Sequence, residues 1–255
     1  MVNMEGEEQK GESTPRGDQE PFVQPLEDAG FPRKKFMTVP GHPDVIVRRT
    51  YEGGADINKN NEAHFRSLIN RAQTVFADLK KRGALPIDTQ AVIGKDGNGK
   101  TEVFLVGENI AGGNMEETKD VPLSAQKDFE DFFTALTDHL TSAYDTGGDF
   151  WSDFKNDVII YGTRPGEEER RPYIVDTEPV FNTWSKEHSK RKDRELLGHL
   201  DELNDAITLY ESRFVEPVKF SAARAHLRDA YSRLLPFLTE KIDKENASLA
   251  IGQLS

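Results

Sequence analysis

The feature that most constrains the fold is a long amphipathic segment at residues 60–83, which has strand-like patterns on both sides. Its large apolar side chains recur at intervals of three and four residues, so they lie on one stripe of an α-helix. The stripe consists of Phe65, Leu68, Ile69, Ala72, Val75, Phe76 and Leu79. Asn60 or Asn61 is suited to cap the helix start, and Gly83 is suited to end it. We therefore expect a helix that belongs to a small α+β unit.

Strand signals surround this helix. Before it, KFMTV (35–39) and DVIVRRT (44–50) are short apolar runs joined by the turn PGHP. After it, TQAVIG (89–94) and TEVFLVGENI (101–110) flank KDGNGK, whose Asp-Gly and Asn-Gly pairs favour a hairpin turn. The sequence therefore predicts a small antiparallel sheet accompanied by one helix.

Helical periodicity dominates the second half of the chain. Ser124 is suited to cap a helix whose apolar stripe is formed by Phe129, Phe132, Phe133, Leu136 and Leu140. A second hairpin follows, from DVIIYGT to RPYIVD with the charged tip RPGEEERR, and then two helices over 190–214 and 221–244. We expect an α+β fold of two lobes: a small lobe over 31–112, and a mainly helical lobe with a β-hairpin over 113–255.

Composition narrows the possible partners and compartments. Residues 1–30 carry almost no large apolar side chains, which predicts a disordered acidic tail. The net charge of -12 disfavours nucleic acid as a partner, and the basic run KEHSKRKDRE (186–195) is predicted to be a solvated linker or a first helical turn. The chain has no Cys and no apolar run near the roughly 18 residues of a membrane helix. We expect a cytoplasmic protein that binds neither nucleic acid nor membrane.

Two carboxylates, Asp176 and Glu178, follow the apolar run Tyr173-Ile174-Val175. If the extended geometry continues, side chains two residues apart point the same way, so both carboxylates face one spot. Two adjacent carboxylates need a cation to remain ionised. Either a metal ion supplies this charge, or Arg170, Arg171 or a helix N-terminus supplies it in a structural pairing.

The six histidines show no metal-ligand spacing, which gives zinc chemistry little support. His139 lies near the apolar stripe of its helix and is predicted to be a boundary residue rather than a general base.

The order of elements, together with three short matches, resembles the protein-kinase-like superfamily, in which a small sheet with one helix joins a helical lobe through a hinge. The first match is VFLVGENIAGGN (103–114), which is similar to the last small-lobe strand and the hinge. In the family the hinge backbone holds the adenine of ATP. The resemblance implies that residues 107–110 take this role, with Glu108 and Ile110 as cofactor-binding residues.

The second and third matches concern catalysis and metal binding. GGDFWSDFKNDVIIYG (147–162) is similar to a catalytic loop leading into a strand, although the family spacing is not kept. The resemblance implies Asp149 or Asp153 as the base, and Asn156 or Asp157 as a metal ligand. YIVDTEP (173–179) is similar to the strand and Asp that bind magnesium, which implies metal roles for Asp176 and Glu178.

Other parts of the family pattern are altered. Arg48 stands where the family has the phosphate-binding Lys, PGHP is too short for a glycine-rich loop, and Glu62 is the candidate partner on the helix. We therefore expect a degenerate, pseudokinase-like module that retains ATP and Mg²⁺ or binds a protein partner. The alternative is an active Mg-dependent phosphotransferase that acts on a small-molecule acceptor.

Overall fold

The computed structural model describes residues 24–25, 36–49, 62–95, 101–114, 116–155, 157–177 and 182–254. The N-terminal strands are β1 (Gln24–Pro25), β2 (Phe36–Val39), β3 (His42–Arg49), β4 (Thr89–Lys95) and β5 (Thr101–Glu108). They form one antiparallel sheet in the order β1-β2-β3-β5-β4, which confirms the two predicted strand pairs. The turn predicted between β4 and β5 and most of the predicted tail 1–30 lie outside the described residues.

The predicted first helix is confirmed as α1 (Glu62–Arg82). It ends as expected, because Gly83 adopts φ 107° and Ala84 N donates to the Leu79 carbonyl at 3.1 Å, as in a Schellman motif. Val75 and Leu79 are buried in the main core, where α1 packs against the helix of residues 126–146. The stripe of α1 therefore ties the N-terminal part of the chain to the helical part. The predicted caps Asn60 and Asn61 lie outside the described residues.

The helical part consists of α2 (Gln126–Thr146), α3 (Lys190–Glu211), α4 (Ser221–Leu234) and α5 (Lys241–Gln253). Its centre is a group of aromatic rings with centroids 5.1–6.5 Å apart, formed by Phe129, Phe133, Tyr210, Phe214 and Phe220. All five predicted stripe residues of α2 are buried. The α+β class and the core face of α2 are thus confirmed.

Three details of the helix prediction are wrong. Ser124 lies inside a short 3₁₀ turn, Leu123–Ala125, and α2 begins after it with no side-chain cap. The helix predicted over 221–244 is two helices, because Pro236 has no N–H to donate to the Ser232 carbonyl and so interrupts the helical hydrogen bonds. The helix predicted over 190–214 ends at Glu211.

The basic run 186–195 contributes the start of α3, where the Ser189 hydroxyl accepts from Lys192 N. This first helical turn agrees with one of the two predictions for the run. Lys192 is not solvated, however, because it is 3% exposed, donates to the Ser185 carbonyl and lies over the Tyr144 ring.

Along the chain, two smaller sheets are formed by strands between the N-terminal sheet and α3. One contains β6 (Ala111–Asn114), β8 (Ile159–Thr163) and β9 (Arg170–Ile174), and the other pairs β7 (Gly148–Phe150) with β10 (Asn182–Trp184). The β8–β9 hairpin confirms the second predicted hairpin. The predicted lobe boundary at 112/113 falls inside β6, which pairs with β8. None of the described helices has the length and apolar character needed to cross a membrane.

Candidate functional site

The centre of the candidate site is an ion pair between Arg48 on β3 and Asp176, just after β9. Nη1 of Arg48 donates to Oδ1 of Asp176. The Arg48 side chain is 10% exposed and that of Asp176 is 22% exposed, so water screens the pair only partly. The cation predicted for Asp176 is therefore supplied at least in part by Arg48.

The two arginines proposed from the sequence as structural partners of Asp176 lie elsewhere. Arg170 sits over the Tyr161 ring at 4.4 Å and donates to the Tyr161 carbonyl, while Arg171 pairs with Glu169 at 2.6 Å. The sequence favoured them because they are close along the chain. The partner that the fold supplies, Arg48, is 128 residues away.

A second contact joins the same face of the sheet to the same segment. The strand register places Thr89 of β4 on the face of Arg48, because Thr89 pairs with Gly107, and Gly107 pairs with Ile46. The hydroxyls of Thr89 and the buried Thr177 are 2.6 Å apart. This sheet face therefore contacts Asp176 and Thr177, the second and third residues after β9.

The β8–β9 hairpin ends short of Asp157 and Asp176. Its last paired residues are Ile159 and Ile174, and beyond them the Val175 amide donates to the Val158 carbonyl at 2.9 Å. The Val158 amide closes a turn onto the Lys155 carbonyl at 3.2 Å, and Asp157 is exposed in this turn. Asp157, a predicted metal ligand, therefore lies one residue beyond the last hydrogen bond between the two segments, as Asp176 does. Asn156 and Glu178, the other predicted metal ligands, lie outside the described residues.

Asp149, one predicted base, is held in a fork. Arg71 of α1 donates from Nε to Oδ2 at 2.8 Å and from Nη2 to Oδ1 at 2.5 Å, and the Thr183 hydroxyl donates to Oδ1 at 2.6 Å. The hydrogen bond from Arg71 lowers the pKa of Asp149. A carboxylate with both oxygens engaged by a guanidinium is a weak proton acceptor, so the geometry favours a clamp between α1, β7 and β10.

Asp153, the other predicted base, has a more accessible carboxylate. It lies in the loop between β7 and β8, and its side chain is 32% exposed. Its oxygens are 3.4 Å from the backbone N and from Nζ of Lys155. The neighbours Trp151 and Phe154 are buried and meet edge to face. Asp153 is thus an accessible carboxylate between two packed aromatic anchors.

The predicted hinge residues are largely engaged by protein groups. Glu108 accepts from Asp88 N at 3.1 Å and pairs with Arg164 at 3.0 Å. Asn109 N donates to the Asp44 carbonyl at 2.8 Å, which extends the β3–β5 pairing. Ile110 is buried in a small apolar cluster. These side chains have structural roles, and adenine binding by this backbone stays a prediction. Glu62 begins α1, and its side chain lies outside the description.

His139 lies in surroundings that its position in the sequence did not predict. It is 3% exposed, bonds to Asp78 of α1 at 2.8 Å, and accepts from the backbone N of Trp151 at 3.2 Å. Burial lowers its pKa. The boundary prediction was therefore wrong, and the signal that could have corrected it is weak: His139 sits directly beside the stripe residue Leu140.

Comparison with known proteins gives distant similarities. No model of a known protein family matches the sequence, and no curated protein matches it. Among solved structures, the Legionella pneumophila Lpg2603 kinase bound to IP6 aligns with a TM-score of 0.41 and 11% identity, over 86% of this chain and 78% of that one. WbdD aligns with a TM-score of 0.36 and 11% identity, over 88% of this chain and 50% of the other. Similarities at this level identify neither a family nor a function.

Proposed function

We propose that the chain is a divergent kinase-like protein that binds nucleotide phosphates together with a divalent cation beside Arg48 and Asp176. The observation that carries the proposal is the Arg48–Asp176 pair, with Asp157 one residue beyond the hydrogen bond between Val175 and Val158. A buried Arg and two acidic residues thus lie in one part of the fold. Anion and cation binding require this combination of charges at one place.

The donor chemistry fits magnesium. Mg²⁺ prefers oxygen ligands and is commonly held by one or two carboxylates, with phosphates and water completing its shell. Asp176 and Asp157 would supply the carboxylates, and Arg48 would bind a phosphate oxygen. Among the described residues no three His, Asp or Glu side chains form a complete metal cluster, so the phosphates would be needed. A bound metal would neutralise charge on the phosphates.

A binding module with little or no turnover is the favoured form of this proposal. Arg48 pairs with Asp176, so a ligand would compete with that pair for both groups. The guanidinium fork also cannot simply replace the compact ammonium of a Lys at this position. Asp149, held by Arg71, does not supply a base.

An active phosphotransferase that acts on a small-molecule acceptor is the second candidate, and Asp153 favours it. Its carboxylate is partly exposed, and Lys155 lies beside it. In such an enzyme Asp153 would orient the acceptor hydroxyl, and positioning would provide most of the catalysis. Turnover of ATP that is lost in Asp153→Asn, while binding remains, would favour this candidate over the binding module.

Thermal unfolding of the full chain tests the binding proposal. Mg²⁺ and ATP at about a hundred times the dissociation constant would add about 2.7 kcal/mol of stability and raise the midpoint by about 5–10 °C. We expect this shift to vanish in Asp176→Ala and to persist in the control Asp88→Asn, whose carboxylate belongs to an exposed pair with Lys80. A shift of equal size in Asp176→Ala, or no shift in the wild-type protein, would contradict the proposal.

A further inference from the structure

His139 has partners on both ring nitrogens that the proposed function does not use. Its Nδ1 is 2.8 Å from Oδ2 of Asp78, and its Nε2 is 3.2 Å from the backbone N of Trp151. A backbone N–H can only donate, so Nε2 must be the acceptor. The proton of the neutral ring then sits on Nδ1 and is donated to Asp78. The contacts thus define one tautomer.

The Asp78 carboxylate that accepts from His139 is itself held in place by a second side chain. Arg82 Nε donates to Asp78 at 2.7 Å, and Arg82 Nη2 donates to the Ser142 hydroxyl on α2 at 3.1 Å. Burial would raise the pKa of Asp78, but hydrogen bonds from Arg82 and His139 outweigh it and lower that pKa. Near neutral pH, an ionised carboxylate therefore holds a neutral imidazole in a defined orientation.

The other end of the network is the loop that carries Asp153. Trp151 is 2% exposed and Phe154 is 6% exposed, and their ring centroids are 5.5 Å apart. Asp153 lies between them along the chain, so its backbone position follows from where the two rings pack. The hydrogen bond that Trp151 N gives to His139 fixes the first of these anchors.

Helix α1 reaches the same segment at a second point. Arg71 holds Asp149, which lies in β7 just before Trp151. Arg71 and Asp78 are about two turns apart on α1, so they share one face of the helix. That face is therefore connected to the chain on both sides of Phe150, directly through Arg71 and through His139.

We propose that His139 is a positioning residue that ties α1 to the backbone at Trp151 and thereby holds Asp153 in place. A functional role for the accessible carboxylate of Asp153 rests on the proposed function. The connection from α1 through His139 to Trp151 does not. His139 acts on Asp153 through the backbone at Trp151 and not through a direct hydrogen bond.

Hydrogen exchange of the Trp151 amide in the full chain tests this role. In His139→Leu, which removes both hydrogen bonds, we expect Trp151 to exchange about tenfold faster, because its buried N–H loses its acceptor. His139→Gln should restore most of the protection, since a carboxamide can both donate to Asp78 and accept from Trp151. The matched control is His226→Leu, which breaks a His–Asp pair of similar length with Asp138 at an exposed site.

The proposal is overturned if Trp151 exchanges as slowly in His139→Leu as in the wild-type protein. It is also overturned if its acceleration only equals that of amides throughout the core, which would indicate general destabilisation. The wild-type protein supplies a second measurement that needs no variant. The ¹⁵N shifts of His139 should report a neutral ring protonated on Nδ1 near pH 7, and protonation on Nε2 would overturn the proposal.

Thermal unfolding with and without Mg²⁺–ATP distinguishes failure of the positioning role from failure of the proposed function. If His139→Leu speeds exchange of the Trp151 amide while Mg²⁺–ATP does not stabilise the wild-type protein, the positioning role stands and the proposed function fails. If Mg²⁺–ATP stabilises the wild-type protein while Trp151 is unaffected by His139→Leu, the proposed function stands and the positioning role fails.

Discussion

Two arginine–aspartate pairs join the N-terminal part of the chain to the segments around β7 and β9, and they are built differently. Arg71 and Asp149 form a fork in which two guanidinium nitrogens meet two carboxylate oxygens, and the Arg71 side chain is 40% exposed. Arg48 is 10% exposed, and its partner Asp176 lies one residue beyond the hydrogen bond between Val175 and Val158, as Asp157 does. The first pair engages both carboxylate oxygens of Asp149. The second is the pair beside which we propose a cation site.

Loss of Arg48 should have the largest effect on this comparison. In Arg48→Met, Asp176 remains partly buried without its guanidinium partner, so we expect the free energy of unfolding to fall by about 2 kcal/mol. Mg²⁺ should recover part of this loss, because it can replace the missing charge. Urea unfolding with and without Mg²⁺ measures both effects. An equal loss of unfolding free energy in the presence and absence of Mg²⁺ would contradict a cation site beside Asp176.

Loss of Arg71 should cost less and should not respond to metal. Arg71→Met is expected to lower the free energy of unfolding by about 1 kcal/mol, because water already screens this partly exposed pair. Arg71→Lys should restore little, since an ammonium cannot form the two-point fork. The same urea titrations measure these changes. If Mg²⁺ restored the free energy of unfolding of Arg71→Met as fully as that of Arg48→Met, the two pairs would not differ in their response to metal.

The loss of stability in acid should also depend on the fork between Arg71 and Asp149. The hydrogen bond from Arg71 lowers the pKa of Asp149 from its ordinary value of 3.8. A lowered folded-state pKa contributes stability that is present above the unfolded value and is lost as pH falls through the folded value. Between about pH 5 and about pH 3, Arg71→Met should therefore lose less stability than the wild-type protein. Melting midpoints over this range test it, and parallel curves for the two proteins would contradict it.

The smallest effect is expected at the exposed pair of Lys80 and Asp88, which gives a baseline for the other two pairs. Its side chains are 38% and 67% exposed. Asp88→Asn should change the free energy of unfolding by no more than about 0.5 kcal/mol. If urea unfolding showed that Asp88→Asn lowers the free energy of unfolding as much as Arg71→Met does, exposure would not explain the order of these effects.

Local patterns were sufficient for most of the fold. The α1 stripe, its Gly83 terminus and the β8–β9 hairpin follow from periodicity and turn residues, which act over a few positions. The break at Pro236 was also visible locally, and it was missed because the apolar stripe continued through it. The Ser124 cap failed because a 3₁₀ turn satisfies the start of α2 instead.

The candidate site could be predicted only in part, because its contacts join distant segments. The sequence marked Asp176 as a carboxylate in need of a cation, and the kinase resemblance placed Arg48 at the phosphate-binding position. That they form a pair depends on the packing of β3 against the end of β9. Asp149 was predicted as a base from the resemblance to a catalytic loop, and nothing near it in sequence indicates Arg71. His139 was placed at a boundary from its position near the apolar stripe, and its partner Asp78 lies on another helix.

The most direct test of the central claim is the binding of Mn²⁺ to the full chain in the presence of ATP, followed by the loss of the free-ion signal in electron paramagnetic resonance. We predict that the wild-type protein and Arg71→Met remove Mn²⁺ from solution, and that Asp176→Ala does not. Equal binding by Asp176→Ala and the wild-type protein, or binding by neither, would contradict a cation site beside Arg48 and Asp176.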